Sequence, residues 1–146
     1  GIQIMKARVK WVEDVLFLGQ SGTGHTVVME GPAESGGKDT GMRPMELLLL
    51  GMAGCTAYDV VGILKNSKQD ITDCDVKVEA ERAAEMPKVF TKIHIHFKIS
   101  GTSLKEKQVE RAVSLSAEKY CSASIMLGAT AEITHDYEMF EVEGTS

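Results

Sequence analysis

Strict alternation of apolar and polar residues is the strongest pattern in the chain, and it predicts β-strands. In residues 71–83 and 89–100 every second side chain is apolar over most of the length, as expected of strands that bury one face. Residues 85–88, which include Pro87, predict a hairpin turn between them. Short apolar segments near the N-terminus predict a three-stranded meander, and an alternating segment predicts a last strand. The three strands of the meander are residues 5–11, 15–19 and 25–30, and the last strand is residues 131–142.

Residues 44–64 form a predicted helix that is apolar on almost every side. Pro44 is favoured at the first helical position, and Glu46 in the first turn suits the helix dipole. At about 1.5 Å per residue the helix is roughly 30 Å long, the width of a small domain. One chain of 146 residues is too small to cover it on all faces, whereas two intertwined chains suffice. The pattern therefore predicts a helix buried on most sides and a homodimer.

Two more helices are predicted between the fifth and sixth strands. The first spans residues 103–120, where Ser103 and Glu106 have the spacing of a capping box, and the second spans residues 122–127. The predicted order is βββ-α-ββ-αα-β, an α+β fold with antiparallel sheets. We expect one domain over residues 5–146, with residues 1–4 an expression remnant.

Composition and charge narrow the class of protein. The chain is 43% hydrophobic with a formal net charge of −5, which is ordinary for a globular protein. No stretch is strongly basic, so we expect no nucleic-acid partner. No apolar run reaches about 18 residues, so we expect no membrane span. Three cysteines without a signal peptide predict a reduced, cytoplasmic protein and no disulfide framework.

Two cysteine motifs resemble those of the OsmC/Ohr family. MAGCT, which contains Cys55, lies in the apolar helix opened by RPMEL and resembles the family's first cysteine helix. EKYCSAS, which contains Cys121, resembles the second motif. The two cysteines are 66 residues apart, and the order of elements also fits. The resemblance covers the chain from Met5 onwards and looks closest to the YhfA-like branch, through ARVKWV near the N-terminus and LSAEKYC before the second cysteine.

The resemblance implies an intertwined homodimer, with sheets from both chains around two long central helices and active sites at the subunit interface. It also implies a thiol-dependent peroxidase. Cys55 would attack an organic hydroperoxide, Cys121 would resolve the oxidised cysteine, and a dithiol of lipoyl or thioredoxin type would serve as reductant. We expect no cofactor and no metal.

Such chemistry requires an attacking thiolate, a resolving thiol within disulfide reach, and a positive or hydrogen-bonding group near the first sulfur. Peroxidases of the family carry a glutamate directly after the helix-opening proline. Here Met45 holds that place, and Glu46 lies nine residues before Cys55. Nine steps of about 100° put Glu46 on the far side of the helix from Cys55. A role in the helix dipole is the alternative for Glu46.

The charged neighbours of the cysteines are less well defined. No arginine occupies the family's position, so Arg43 and Arg8 are the candidates, with ordinary solvated side chains as the alternative. Asp59 lies one turn after Cys55 on roughly the same face. Its carboxylate would either raise the pKa of a nearby thiol or make a hydrogen bond at a dimer contact.

Other metal-binding or reactive side chains carry weaker signals. His94 and His96 share one face of a strand, a spacing that suits zinc, but the sequence shows no third ligand and favours a solvated polar face. Cys74 lies between two aspartates, which disfavour a thiolate, and is expected to be unreactive. The spacing of the three cysteines matches no zinc motif.

Three functions follow from these patterns. The first is a cytoplasmic thiol peroxidase that uses Cys55 and Cys121. The second, motivated by Met45 in place of the family carboxylate, is an OsmC-like protein that binds small molecules or senses redox state without efficient turnover. The third is a structural dimer whose cysteines fill the core, as buried cysteines often do.

Overall fold

A computed structural model describes residues 2–143 of the chain. Gly1 of the predicted remnant and the last three residues of the predicted domain lie outside the described residues. The chain divides into two compact units, one up to Leu49 and one from Leu50. A single domain over residues 5–146 stays a prediction.

The first unit contains the predicted meander. Strands β1 (Ala7–Glu13), β2 (Leu16–Ser21) and β3 (Thr26–Glu30) pair antiparallel in that order. A short 3-10 helix at Ala33–Ser35 interrupts the loop that follows. Glu30 fixes this loop, because its buried carboxylate accepts hydrogen bonds from the Thr40 N–H at 2.7 Å and the Thr40 hydroxyl at 3.0 Å. Donation from backbone N–H groups, that of Thr40 first, lowers the pKa of Glu30.

Helix α1 (Pro44–Asn66) begins at the predicted proline. Its buried residues recur every fourth position and form one stripe: Met52, Thr56, Val60 and Leu64. Leu50 and Tyr58, on other faces of its second-unit portion, are 53% and 82% exposed. A single chain therefore covers only one face of so long a helix, as its small size leads one to expect, and burial of the other faces by a second chain stays a prediction.

By length and composition alone α1 is apolar enough to cross a bilayer, a test that core helices of globular proteins also pass. Its buried stripe is not purely apolar, since Thr56 makes a buried hydrogen bond to a later part of the chain. That arrangement is typical of a helix packed in a protein core.

The second unit contains a three-stranded sheet in the order β4-β5-β6. β4 (Asp70–Arg82) and β5 (Phe90–Thr102) form the predicted antiparallel hairpin. β6 (Glu132–Glu141) pairs parallel with β5. The α+β class and the element order are confirmed, but the expectation of wholly antiparallel sheets is wrong here. The helices between β5 and β6 return the chain to the starting end of β5, so the two strands run in the same direction.

The helical connection differs in detail from the prediction. α2 (Glu106–Leu115) continues into a π-helical turn at Ser116–Tyr120, and α3 (Ser122–Leu127) follows Cys121. The predicted capping box is absent at the start of α2. Ser103 has a left-handed backbone with φ of 53° and donates its N–H to a carboxylate oxygen of Glu141 at 2.7 Å. It therefore lies outside the helix, whose N-cap is Lys105.

The core of the second unit lies between the inward face of its sheet and its helices. β5 contributes every second side chain, as its alternation predicts, and α2 contributes its apolar side. These fully or almost fully buried residues are Ile93, Ile95, Phe97, Ile99, Val109, Ala112 and Val113.

Candidate active site

The second unit brings Cys55, Asp59 and Cys121 together. The two sulfur atoms and a carboxylate oxygen of Asp59 all lie within 4.8 Å of one another. Cys55 and Asp59 are one turn apart on α1, so they share a helix face. Cys121 comes from the junction between the π-helical turn and α3. The structure therefore places the two predicted cysteines and the predicted carboxylate in one cluster.

The backbone at Cys121 is set by the π-helical turn before it. The N–H of Cys121 donates to the carbonyl oxygen of Ser116, five residues earlier, at 2.9 Å. A regular α-helix would bond to the residue four positions earlier. This wider turn ends the helix and lets Cys121 become the N-cap of α3, where its sulfur accepts the N–H of Ser124 at 3.4 Å.

The two sulfurs differ in burial. Cys121 is completely buried and its thiol lies 3.9 Å from the carbonyl oxygen of Met52, to which it donates. Cys55 is only half-buried. Burial raises the pKa of Cys121 above its usual value, and the nearby thiol of Cys55 adds to this, while the nearby hydroxyl and backbone N–H of Ser124 lower the pKa. Cys55 is therefore the thiol that a small solute reaches more easily.

A buried hydroxyl pair holds the two halves of the cluster. Thr56 Oγ1 and Ser116 Oγ are 2.6 Å apart, and neither side chain is exposed. Ser116 Oγ also lies 3.2 Å from the carbonyl oxygen of Thr56 and 3.3 Å from Asp59 Oδ2. The hydroxyl of Ser116 therefore connects the π-helical turn to the segment of α1 that carries Cys55 and Asp59.

The hydroxyl of Ser124 is a polar group without a partner. Its oxygen is buried and makes no hydrogen bond within the described part of the chain. The residue is 2% exposed, and its side chain lies close enough to the Cys121 sulfur to lower the pKa of that thiol. Sequence reasoning missed Thr56, Ser116 and Ser124, because single hydroxyl residues in apolar segments give no periodic or motif signal.

Glu46, Arg43 and Arg8 belong to the first unit. A carboxylate oxygen of Glu46 accepts the N–H of Arg43 at 2.8 Å, which caps the start of α1. The guanidinium of Arg43 donates to the Gly41 carbonyl oxygen at 3.2 Å and lies 3.7 Å from an Asp39 carboxylate oxygen. Arg8 lies exposed in β1. These contacts give Glu46 and Arg43 local structural roles, and any supporting role of the three residues in catalysis stays a prediction.

The two strand histidines have a carboxylate that the sequence did not reveal. Asp136 Oδ1 lies 3.0 Å from Nε2 of His94 and 2.6 Å from Nδ1 of His96. Parallel pairing of β5 and β6 puts Asp136 opposite His96. Hydrogen bonding to His96 is the largest cause that lowers the pKa of Asp136. The polar face was predicted, but its acidic partner was not, because strand register is a tertiary property.

Cys74 lies in β4 and is half-buried. Burial, followed by the charges of Asp73 and Asp75, raises its pKa to about 11. A thiol with so high a pKa is almost wholly protonated near neutral pH. This agrees with the expectation from sequence that Cys74 is unreactive.

The family model described as "OsmC-like protein" matches residues 36–136. The chain belongs to the OsmC-like family. This OsmC-like protein is also 50% identical over 135 residues to Protein YhfA of Escherichia coli K12, which covers 92% of this chain and 98% of that protein. The resemblance to the YhfA-like branch is thereby confirmed.

Solved structures show the same fold. A hypothetical protein from Aquifex aeolicus VF5 is 27% identical, with a TM-score of 0.85, and the match covers 97% of this chain and 100% of the Aquifex chain. The organic hydroperoxide resistance protein OhrB of Bacillus subtilis has a TM-score of 0.65 at 15% identity, and the match covers 93% of this chain and 98% of the OhrB chain. The OsmC-like protein therefore shares its fold with OhrB.

Proposed function

We propose that this OsmC-like protein is a thiol-dependent peroxidase that reduces organic hydroperoxides with Cys55 and Cys121. The observation that carries the proposal is the contact between a half-buried and a fully buried sulfur within 4.8 Å. Attack needs the accessible sulfur, and resolution needs a second thiol beside it. The fold shared with a protein named for organic hydroperoxide resistance supports the choice of substrate.

In the first step the Cys55 thiolate attacks the terminal oxygen of the hydroperoxide. The O–O bond breaks, the alkoxide leaves and takes up a proton to become the alcohol, and Cys55 becomes a sulfenic acid. In the second step the sulfur of Cys121, losing its proton, attacks the Cys55 sulfur. Water leaves, and a Cys55–Cys121 disulfide forms.

An external dithiol returns the pair to the reduced state. One thiolate of the dithiol attacks the disulfide to form a mixed disulfide, and its second thiol closes the ring of the oxidised reductant and frees both cysteines. We propose Cys55 as the sulfur attacked, because Cys121 is buried. The reductant we propose is a dithiol of lipoyl or thioredoxin type. The reaction as written needs no cofactor, and the reducing cytoplasm is the compartment that would supply such a dithiol.

A homodimer is part of the proposal. In the second unit α1 leaves Leu50 and Tyr58 exposed, and a Cβ added at Gly54 or Gly62 would meet open space. Large apolar helix faces in water are unfavourable, and a second copy of the chain would cover them.

The function is tested with Cys55→Ser and a matched control, Cys74→Ser, which removes the cysteine outside the cluster. Turnover is followed as loss of cumene hydroperoxide with dihydrolipoamide as reductant. We expect Cys55→Ser to lose essentially all turnover and Cys74→Ser to keep it. Undiminished turnover in Cys55→Ser would overturn the proposal.

The rate of the first step separates catalysis from mere binding. Cys55 in the wild-type chain should be oxidised by micromolar organic hydroperoxide at least about a hundredfold faster than free cysteine. Acid and base groups that are positioned beside a reacting atom commonly accelerate a reaction by at least this factor. A rate equal to that of free cysteine would favour a small-molecule-binding protein instead.

A further inference from the structure

We propose that the reduced protein binds one zinc ion through Cys55 Sγ, Cys121 Sγ and a carboxylate oxygen of Asp59. Two thiolates and one carboxylate make three ligands, and a fourth position stays open for water or a small solute. This binding function goes beyond peroxide reduction, although it uses the same cluster. It also gives Asp59 a role that sequence reasoning left undecided.

The geometry suits a tetrahedral ion. The three ligand atoms lie within 4.8 Å of one another. Ligands about 2.3 Å from a tetrahedral zinc lie about 3.8 Å apart, so the side chains need to close by at most about an ångström. Cys55 and Asp59 are four residues apart on α1, the spacing at which two helix side chains share one metal. Cys121 approaches from the second element.

The surroundings supply the hydrogen bonds that metal ligands require. Ser116 Oγ, 3.3 Å from Asp59 Oδ2, orients the carboxylate. The N–H of Ser124 donates to the Cys121 sulfur at 3.4 Å. The buried hydroxyl of Ser124, which has no partner among the described residues, gains an anionic acceptor when Cys121 is deprotonated. Partners of this kind fix ligand orientation and raise metal affinity.

The donor set selects the metal. Thiolates favour zinc and other soft ions over magnesium and calcium, which prefer oxygen ligands. Binding is not a redox step: two S–H bonds break, two protons are released, and two zinc–sulfur bonds form. Because the ion coordinates both sulfurs and withdraws charge from them, it slows the reaction of Cys55 with peroxide. A Cys55–Cys121 disulfide, in turn, has no thiolate to offer zinc.

The experiment uses the full chain, reduced and freed of small thiols. Zinc is titrated against a chromophoric chelator, and cobalt(II) is added in parallel as a spectroscopic substitute. The variants are Cys55→Ser, Cys121→Ser and Asp59→Asn, with Cys74→Ser and His96→Gln as matched controls. The controls remove a thiol and an imidazole that lie outside the cluster. No peroxide is present, so failure of the proposed peroxidase activity does not affect the result.

We expect one zinc ion per chain and a cobalt spectrum with thiolate charge-transfer bands and intense tetrahedral bands in the visible. Asp59→Asn should weaken binding at least about tenfold, and either cysteine variant by more than the ten- to hundredfold typical of supporting partners. The two controls should bind as the wild type does. Absence of binding, equal binding in Cys55→Ser, or loss of binding in Cys74→Ser or His96→Gln would overturn the proposal.

A second measurement requires no variant. Alkylation of the wild-type chain is followed by peptide mass spectrometry with and without zinc. Zinc should protect Cys55 by at least about tenfold, because a thiolate that shares its charge with zinc is a weaker nucleophile than a free thiolate, and should leave the rate at Cys74 unchanged. Equal alkylation of Cys55 in both conditions would rule out the site even if the cysteine variants do not fold.

Discussion

Thr56 Oγ1 lies 2.6 Å from Ser116 Oγ, and both side chains are fully buried. One of these residues directly follows Cys55, and the other accepts the backbone N–H of Cys121. The distance between the two sulfurs therefore depends on a hydroxyl contact between α1 and the π-helical turn. A buried hydrogen bond of this kind specifies one arrangement of the elements, because breaking it leaves a polar group without a partner.

Thr56→Val should destabilise the protein by about 0.5–1.5 kcal/mol, the net contribution of one hydrogen bond, because Ser116 Oγ keeps its contacts with the Thr56 carbonyl oxygen and Asp59. Valine matches threonine in shape, so packing changes little. Ser116→Ala should cost a similar amount, and the double variant should cost less than the sum of the two. Urea unfolding measures all three. Ser122→Ala, at an exposed position, is the control and should change stability by less than about 0.5 kcal/mol. Strict additivity of the two buried changes would contradict the contact.

Cys121→Ser should trap the proposed intermediate. With no resolving thiol, Cys55 should remain a sulfenic acid after one equivalent of organic hydroperoxide and react with dimedone. Intact-mass and peptide spectra should show one adduct on Cys55. The wild-type chain should instead show a Cys55–Cys121 disulfide and little adduct. An adduct on Cys74, or a disulfide that involves Cys74, would contradict the assignment of roles.

Cys74 should be alkylated slowly at neutral pH. Burial raises its pKa to about 11 from 9.0, so its thiolate population should rise about tenfold per pH unit up to pH 10. The rate at which iodoacetamide alkylates Cys74 is measured between pH 7 and 11. In the chain unfolded in urea, this rate should level off near pH 9. Levelling off near pH 9 in the folded chain as well would show that burial has no such effect.

Acid should weaken the protein partly through Asp136. The imidazole of His96 lowers the pKa of this carboxyl in the folded state. A group with a depressed folded pKa stabilises the fold above its unfolded pKa, and this contribution is lost as the pH falls through the folded pKa. Asp136→Asn should therefore flatten the acid side of the stability profile. Urea midpoints between pH 3 and 6 test this, with Glu81→Gln on β4 as control. Parallel profiles for wild type and Asp136→Asn would contradict it.

Gly62→Ala tests the proposed dimer, because the sign of its effect on stability depends on whether a second chain packs against this residue. In the single chain the added methyl group meets open space, so alanine should stabilise the helix by up to about 1 kcal/mol. A second copy packed closely on this face would reverse that sign. We expect sedimentation to show a dimer in the wild type and a shift towards monomer in the variant. A stabilised variant with an unchanged oligomeric state would contradict packing at Gly62.

Local patterns account for the part of the fold that the sequence predicted. Alternation along β5 names its buried side chains correctly, because the period of a strand is a local property. The helical spacing of Cys55 and Asp59 likewise places both on one face of α1. The proximity of Cys55 and Cys121 came from family resemblance instead, since nothing in the 65 residues between them fixes that distance.

The remaining features are tertiary and left no local signal. The parallel direction of β6 depends on the end of β5 to which the helical connection returns the chain. The pairing of Asp136 with His96 depends on that direction in turn. The prediction of a capping box at Ser103 was wrong for a related reason. Ser103 adopts a left-handed backbone, and its N–H donates to Glu141 on β6. A contact 38 residues away thus overrides the preference of a four-residue motif.

The π-helical turn at Ser116–Tyr120 makes the cluster sensitive to chain length in a way that side-chain chemistry does not show. Deletion of one residue from this turn would restore regular helical bonding and rotate the following residue by about 100°. The resulting helix would be more regular, yet Cys121 would point away from Cys55. Substitutions at the exposed residues 118–120 of the turn should consequently be tolerated far better than a single-residue insertion or deletion. The meeting of the two sulfurs is encoded in the number of residues there as much as in their identity.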